Sequence, residues 1–493
     1  MANEQESKDF KESLKTTSLF GGVQIYNIII QIIRSKFVAV LLGPAGMGIT
    51  GLLTSTTSLI GTATNLGLGT SAVRDLSQAF SSGDKDRFNR VLSLFRKLVW
   101  LTGSLGMLVC FLFSPLWSNL SFGNKEYTWA FCAISITLLL GQLSAGQGCV
   151  LQSTRHFKYS AKSNVIGSTL GLLITVPLYY FFGVDGIVPV IIIASLVSLI
   201  LSTYYSRKIP YEKVELSWKD SFSEGRGMAK MGFFVAIQSF IVILNAYIMR
   251  IYISNTGSLE DVGLYNAAFA IIDMYVGMIF TAMGTEYYPR LSSYSNDTKK
   301  FSEAINTQMI ISSLLAAPLI AIFLLLGTLG VILLYSTKFL PITVMLNFMI
   351  LGVIFKAPSW CLGFAFLAKG DTKAFFFNEL APAVYNTIIR ISFYSFWGLT
   401  GIGIAYLVGY FLYLIQVYFV CKIRYQYKLH LNVLKFLLPQ TCILIAIFLI
   451  AILNNWIKYL VGTPIVILCF YLSYKQLNQF IDIKSFILNK IKR

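Results

Sequence analysis

Cations stand where a helix should be dissolved in hydrocarbon. The stretch QIIRSKFVAVLLGPAGMG carries Arg34 and Lys36 with apolar residues on both sides. Further along, Arg250, Lys356 and Arg390 fall within apolar segments, as do Asp273, Glu286 and Glu379. An ionisable group at bilayer depth is costly, so it faces a wet interior or a partner. Five cations against three carboxylates leave a surplus of positive charge, and such a cavity prefers an anionic cargo. Arginine suits phosphate because its planar fork donates two hydrogen bonds. Arg34, Arg250, Lys356 and Arg390 are therefore the candidate cargo-binding cations. Lys36 is the one expected to snorkel outward. Asp273 either neutralises Arg250 or couples transport to H+ or Na+, and Glu286 and Glu379 are the other candidate coupling carboxylates.

No residue set points to covalent chemistry. The chain lacks a GxxxxGK[ST] phosphate loop, an HExxH motif and a GxSxG elbow. No catalytic residue and no cofactor are expected, and the chain is not read as an enzyme. The seven cysteines lie in or beside apolar segments without a CxxC pair, as small buried hydrophobes do. His156 and His430 are far apart in expected loops, so no metal site is expected.

The elements that hold these charges follow from composition. Of 493 residues, 56% are hydrophobic and 13% charged, against about 25% charged in a soluble protein. The class is an all-α polytopic membrane protein. A crossing needs about 20 apolar residues. Fourteen segments qualify: 18–42, 46–71, 91–116, 128–152, 163–182, 185–205, 231–254, 263–288, 304–327, 340–367, 374–397, 400–421, 435–454 and 459–474. On this reading Arg34 lies about 24 Å from the inner end of the first helix. The opening MANEQESKDFKESLKTTS is hydrophilic, so no cleavable signal is expected and the first span is its own insertion signal.

Lys and Arg fix the orientation. With the N-terminus in the cytoplasm, the inner segments hold 32 of them, the outer ones three (Lys125, Lys338, Lys458), and five lie within spans. Both termini are expected inside. The net charge of +18 is then topological and carries no expectation of nucleic-acid binding. The outer loops are short, the longest being Trp117–Tyr127 and Thr328–Phe339.

The chain repeats itself. A shift of 215 residues places Gly48 on Gly263, Gly69 on Gly284, Gly148 on Gly363, Gly183 on Gly398 and Gly186 on Gly401. Helices 1–6 and 7–12 are copies with parallel topology, related by a two-fold axis along the membrane normal. Two pseudo-symmetric six-helix bundles plus two C-terminal helices result. The expected divisions are a cytoplasmic segment 1–17, an N-lobe 18–205, a linker 206–230, a C-lobe 231–421, and helices 13–14 with a tail over 422–493. Arg34 shifted by 215 falls one short of Arg250, which places the two arginines at nearly the same depth.

Four stretches carry a resemblance: FVAVLLGPAGMGITGLL, GLGTSAVRDLSQAF, EDVGLYNAAFAIIDMYVGMIFTAMGTEYYPRLS and STKFLPITVMLNFMILGVIFKAPSW. Over roughly residues 15–425 the chain resembles the polysaccharide exporters of the multidrug/oligosaccharidyl-lipid/polysaccharide superfamily, especially the O-antigen translocase branch. The resemblance implies two lobes opening alternately in the bacterial inner membrane. The cargo it implies is an undecaprenyl-pyrophosphate-linked oligosaccharide, moved from the cytoplasmic to the periplasmic leaflet. Arg34 sits where the related lipid II flippases carry a helix 1 arginine in their cavity. Ser35 replaces the acid those proteins carry beside it. Fourteen helices keep a lipid II-type flippase open as the alternative, and a small-molecule exporter of the same superfamily is another. Glycan-assembly enzymes are candidate partners, and a glycan polymerase is disfavoured by the short outer loops.

Overall fold

The computed structural model describes residues 2–212, 214, 218–452 and 456–479. Every regular element among them is helical. In chain order these are α1 (Ala2–Leu41), α2 (Gly43–Thr64), α3 (Leu68–Ser81), α4 (Lys85–Leu112), α5 (Ser114–Phe122), α6 (Thr128–Ser153), α7 (Phe157–Phe182) and α8 (Ile187–Ser206). Then come α9 (Trp218–Thr256), α10 (Leu259–Ile271), α11 (Gly277–Ser293), α12 (Thr298–Leu334), α13 (Ile342–Ala368), α14 (Thr372–Tyr425), α15 (Leu431–Ile452) and α16 (Ile457–Leu477).

Eleven helical stretches among the described residues are long and apolar enough to cross a membrane. Two of them, Phe157–Ser206 and Thr372–Tyr425, run through a sharp bend and are each long enough for two crossings. Counted as two crossings each, they bring the number to thirteen; α2 fills most of the expected 46–71 segment but is not apolar enough to be among these stretches. The expected spans are largely helical among the described residues, but 46–71 breaks at Asn65–Gly67 between α2 and α3, and 453–454 of the span 435–454 lie outside the described residues. Their ends differ where polar sequence still favours helix. Residues 2–17 continue α1, α9 starts at Trp218 inside the expected linker, and α5 (Ser114–Phe122) runs from the end of the expected 91–116 span into the expected outer loop. Residues 480–493 of the expected tail lie outside the described residues.

Each bend is a glycine. Gly183 has φ 54°, ψ −128°, and Gly398 has φ 55°, ψ −139°. A side chain at such positive φ is strained. These glycines are 215 residues apart and adopt one conformation. The turn repeats in detail: Gly186 packs on the Leu178 carbonyl and Gly401 on that of Phe393, again 215 apart. The internal repeat is thus written in the backbone.

The chain divides into two compact units, Met1–Gly263 and Leu264–Arg493. The first has a core of Leu68, Leu76, Leu92, Phe95, Val150 and Leu151. The second is built around Tyr287, Phe301, Ile305, Leu362, Phe366 and Val417. Helix α9 packs on α2, α3 and α5 of the first unit. It is the first helix of the second repeat by sequence, so the packing boundary falls about one helix later than the expected linker. In the second unit, α15 and α16 pack on α12.

Helix starts are fixed by carboxylates that satisfy orphan N–H groups. Asp84 accepts from the Arg87 N–H at 3.0 Å. Asp297 accepts from those of Lys299 and Lys300, each at 3.1 Å. Inside the 263–288 span the helix is not uniform. Ile272–Val276 forms a π turn that carries Asp273, a local widening that recurs at functional sites.

Candidate functional site

Helix α1 presents Asn27, Gln31, Arg34 and Ser35 on one face, spaced four, three and one residues apart. That face looks into a cavity of about 990 Å³ in the first unit. Helices α6, α7 and α8 close it with Ser144, Ser160, Ser163, Asn164, Ser168, Ser195, Ser198 and Ser202. Small hydroxyl residues at helical spacing leave room where leucines would fill it. Across the α6–α8 wall, Ser144 Oγ lies 2.9 Å from Ser198 Oγ and 3.1 Å from Ser202 Oγ. The wall is therefore a polar zipper.

Among the described residues, Arg34 is the one charged residue lining this cavity. No salt bridge neutralises it among the described residues. Tyr179, buried to 3% exposure, lines the cavity together with Thr50 and Arg34. Asn27 Oδ1 is buried without a hydrogen-bond partner. A cation, an unsatisfied acceptor and a bed of hydroxyls and amides suit a hydroxyl-rich ligand with an anionic group.

The other sequence-derived cations sit elsewhere. Arg250, on α9 of the same unit, is half-buried, and its Nη1 donates to the Ala246 carbonyl of its own helix at 3.1 Å. It does not line the Arg34 cavity. In the second unit, Lys356 Nζ lies 3.4 Å from the Tyr406 hydroxyl and 5.3 Å from the Tyr410 ring centroid. Arg390 stands 5.4 Å over the Phe269 ring, with its Nε buried and unpartnered. Arg390 and Asp273 both act electrostatically on Tyr406. Lys356, Arg390 and Asp273 thus gather around one tyrosine.

The remaining carboxylates differ in setting. Glu286 is exposed and pairs with Arg290 at 2.7 Å, one turn along. Glu379 accepts from the Tyr413 hydroxyl at 2.8 Å. Asn378 Nδ2 reaches the same hydroxyl at 3.4 Å, and Gln416 Nε2 donates to Asn378 Oδ1 at 2.9 Å. On α1, the Tyr26 hydroxyl lies 2.6 Å from Thr169 Oγ1 of α7.

A family model described as polysaccharide biosynthesis protein matches residues 37–344. The chain belongs to that family. It is 21% identical to the lipid III flippase of Escherichia coli (strain K12) over 386 residues, covering 77% of this chain and 90% of the relative. The Shigella flexneri lipid III flippase gives the same values. Among solved structures, the lipid II flippase MurJ in an inward closed conformation superposes with a TM-score of 0.72 at 17% identity, over 94% of this chain and 99% of that one. An inward-facing multidrug resistance MATE family transporter of the MOP superfamily gives 0.64 at 16% identity, over 82% and 94%. The solved structures establish a shared fold. Each of these relatives is named as a flippase or transporter, none as an enzyme.

The sequence singled out Arg34 but not its surroundings. The signal was present: Ser195, Ser198 and Ser202 recur at three and four residues inside an apolar run. Such a polar stripe on a membrane helix marks a wet face as clearly as a charge does.

Proposed function

We propose that this protein is a flippase for a polyprenyl-pyrophosphate-linked oligosaccharide, a repeat unit of O-antigen or a similar surface polysaccharide. The observation that carries this is the Arg34 cavity. It offers one guanidinium for a phosphate oxygen, many hydroxyls and amides for sugar, and, among the described residues, no carboxylate to repel an anion. The curated relatives act on lipid III, and the solved MurJ structure is of a lipid II flippase, which supports a lipid-linked cargo. A cationic drug would find no carboxylate among the described residues of this cavity, so the small-molecule exporter reading is disfavoured.

In this mechanism no covalent bond changes. The head group enters the polar cavity while the polyprenyl tail stays in lipid. The internal repeat supports alternating access, with one repeat rocking against the other. The charge asymmetry supports termini in the cytoplasm and movement toward the periplasmic leaflet. Arg250, Lys356 and Arg390 supply further positive charge. Asp273, Glu286 and Glu379 are the candidates for coupling to H+ or Na+. A lipid II-type cargo is the second reading, favoured by the match of MurJ to 94% of the chain.

The test is loss of the gene followed by lipid analysis. Accumulation of a complete lipid-linked repeat unit on the cytoplasmic side, with surface glycan lost, is the expected result, and its mass names the cargo. Complementation with Arg34→Gln plus Arg250→Gln, expressed at wild-type level, should not restore translocation. Full restoration would overturn the roles assigned to these arginines. An undisturbed lipid pool and intact surface glycan would overturn the flippase reading.

A further inference from the structure

A second cavity, of about 600 Å³, uses a different face of the α6–α8 pair. Its lining includes Arg96 and Trp100 of α4, Gln147 of α6, Ser206 and Arg207 at the end of α8, and Tyr211 beyond it. Among the described residues no carboxylate lines it, while three cations do: Arg96, Lys97 and Arg207. This cleft lies at the basic end of the first unit, where Arg207 and Lys208 follow α8.

The cleft is built rather than incidental. The Arg96 guanidinium stacks 4.0 Å from the Tyr211 ring centroid. That ring is held by the strand of chain after α8, whose Glu212 N–H donates to Asn89 Oδ1 at 3.2 Å and whose Val214 N–H donates to Ser93 Oγ at 3.1 Å. Ser206 Oγ donates to Gln147 Oε1 at 2.6 Å and ties α8 to α6 beside it. Arg96 Nε is buried with no hydrogen-bond partner, and Arg207 stands close enough to oppose the Arg96 charge. A stacked guanidinium with an unused donor, next to a second arginine, is completed by an oxyanion.

The surroundings say what carries that oxyanion. Trp100, 54% exposed, sits at the rim as interfacial tryptophans do. From there exposed Leu101, Leu105, Leu108 and Leu112 run along one face of α4, an apolar track fit for acyl chains. Basic pockets between membrane helices at this level hold phosphate headgroups.

We propose that this cleft is a second phosphate site, separate from the Arg34 cavity, that seats the phosphodiester headgroup of an anionic phospholipid. Arg96 and Arg207 donate to the phosphate oxygens, and Trp100 borders the glycerol. Because α6 and α8 also wall the Arg34 cavity, the bound lipid braces that wall.

The experiment uses the full chain in nanodiscs of phosphatidylcholine, without polysaccharide precursors, titrated with phosphatidylglycerol. Retained lipid is counted by native mass spectrometry after detergent release, and thermal unfolding is followed in parallel. Wild type should retain one more phosphatidylglycerol than Arg96→Gln plus Arg207→Gln, with at least tenfold weaker retention in the variant. Arg96→Lys plus Arg207→Lys should recover part of it. If the double Gln variant does not fold, exposed Arg207→Gln alone decides, with a severalfold loss expected. Equal retention by wild type and variant overturns the site. Equal retention of phosphatidylcholine means that charge is not read and overturns it as well. Protection by inorganic phosphate matching that by the lipid makes this a site for a soluble anion and overturns the lipid assignment.

Discussion

Gly48 and Gly263 meet backbone to backbone. A methyl group on Gly48 would sit 2.0 Å from the Leu259 carbonyl oxygen, and one on Gly263 would sit 1.8 Å from that of Pro44. Pro44 corresponds to Leu259 under the same 215-residue shift that relates the two glycines. The crossing is therefore its own image within the repeat, and it admits no side chain from either partner. Small residues let membrane helices approach this closely.

The crossing predicts a stability effect. Gly48→Ala or Gly263→Ala should destabilise by about 1–3 kcal/mol, the usual cost of overpacking. Gly330→Ala on α12, with nothing within 4 Å, should be neutral or stabilising by up to about 1 kcal/mol, since alanine is the better helix former. Thermal unfolding in detergent compares them. A Gly48→Ala protein as stable as Gly330→Ala would mean that the helices do not touch as described.

Arg34 predicts a graded response. Lysine keeps the charge but loses the planar fork; glutamine loses both. A charge-assisted hydrogen bond is worth about 1.5–3 kcal/mol, or roughly 10- to 100-fold in affinity. Arg34→Lys should weaken binding of a pyrophosphate-bearing lipid to the purified protein by about tenfold, and Arg34→Gln by about a hundredfold. Equal binding by all three proteins would remove Arg34 from the cargo site.

Glu379 predicts a separation of stability from coupling. Its bond to Tyr413 is shielded, and Asn378 and Gln416 complete the network. Tyr413→Phe leaves the carboxylate short of a donor and should destabilise by about 1–3 kcal/mol. Glu379→Gln keeps an acceptor oxygen and should cost less. If Glu379 couples transport to an ion, Glu379→Gln binds cargo normally yet translocates it at a rate insensitive to the H+ or Na+ gradient. A variant that still responds to the gradient would assign coupling elsewhere.

The sequence revealed the helices because a bilayer imposes one period and one length on every crossing. Gly183 and Gly398 marked the repeat for a comparable reason: no other residue adopts that bend cheaply. What stayed hidden depended on packing. Arg34 and Arg250 share a depth, yet depth does not fix which way a side chain points around a helix, and only Arg34 reaches the polar cavity of the first unit. Likewise Ser144, Ser198 and Ser202 look like helix filler until α6 and α8 bring them within hydrogen-bonding distance. The place of α9 was equally invisible, because its contacts with α2, α3 and α5 link residues far apart in sequence.

Asp371 predicts acid sensitivity outside the membrane. It precedes α14, accepts from the Ala374 N–H at 3.2 Å and from the Tyr425 hydroxyl at 3.1 Å, and pairs with Arg424. The Arg424 hydrogen bond above all, opposed next by burial and then reinforced by the Ala374 and Tyr425 donors, holds its carboxyl below the ordinary carboxylate range. A folded value below the unfolded one, about 3.9, gives stability that is complete above the unfolded value. That stability is lost as pH falls through the folded value. Thermal unfolding should therefore be insensitive to this group from pH 5 upward and should report its loss below about pH 4. Asp371→Asn, which cannot ionise, should be less stable at neutral pH and show a shallower fall in acid. Asp371→Ala should also forfeit the helix cap, about 0.5–2 kcal/mol. Identical acid profiles for wild type and Asp371→Asn would mean that the Arg424 pair does not form in solution and that Asp371 serves the helix as a cap alone.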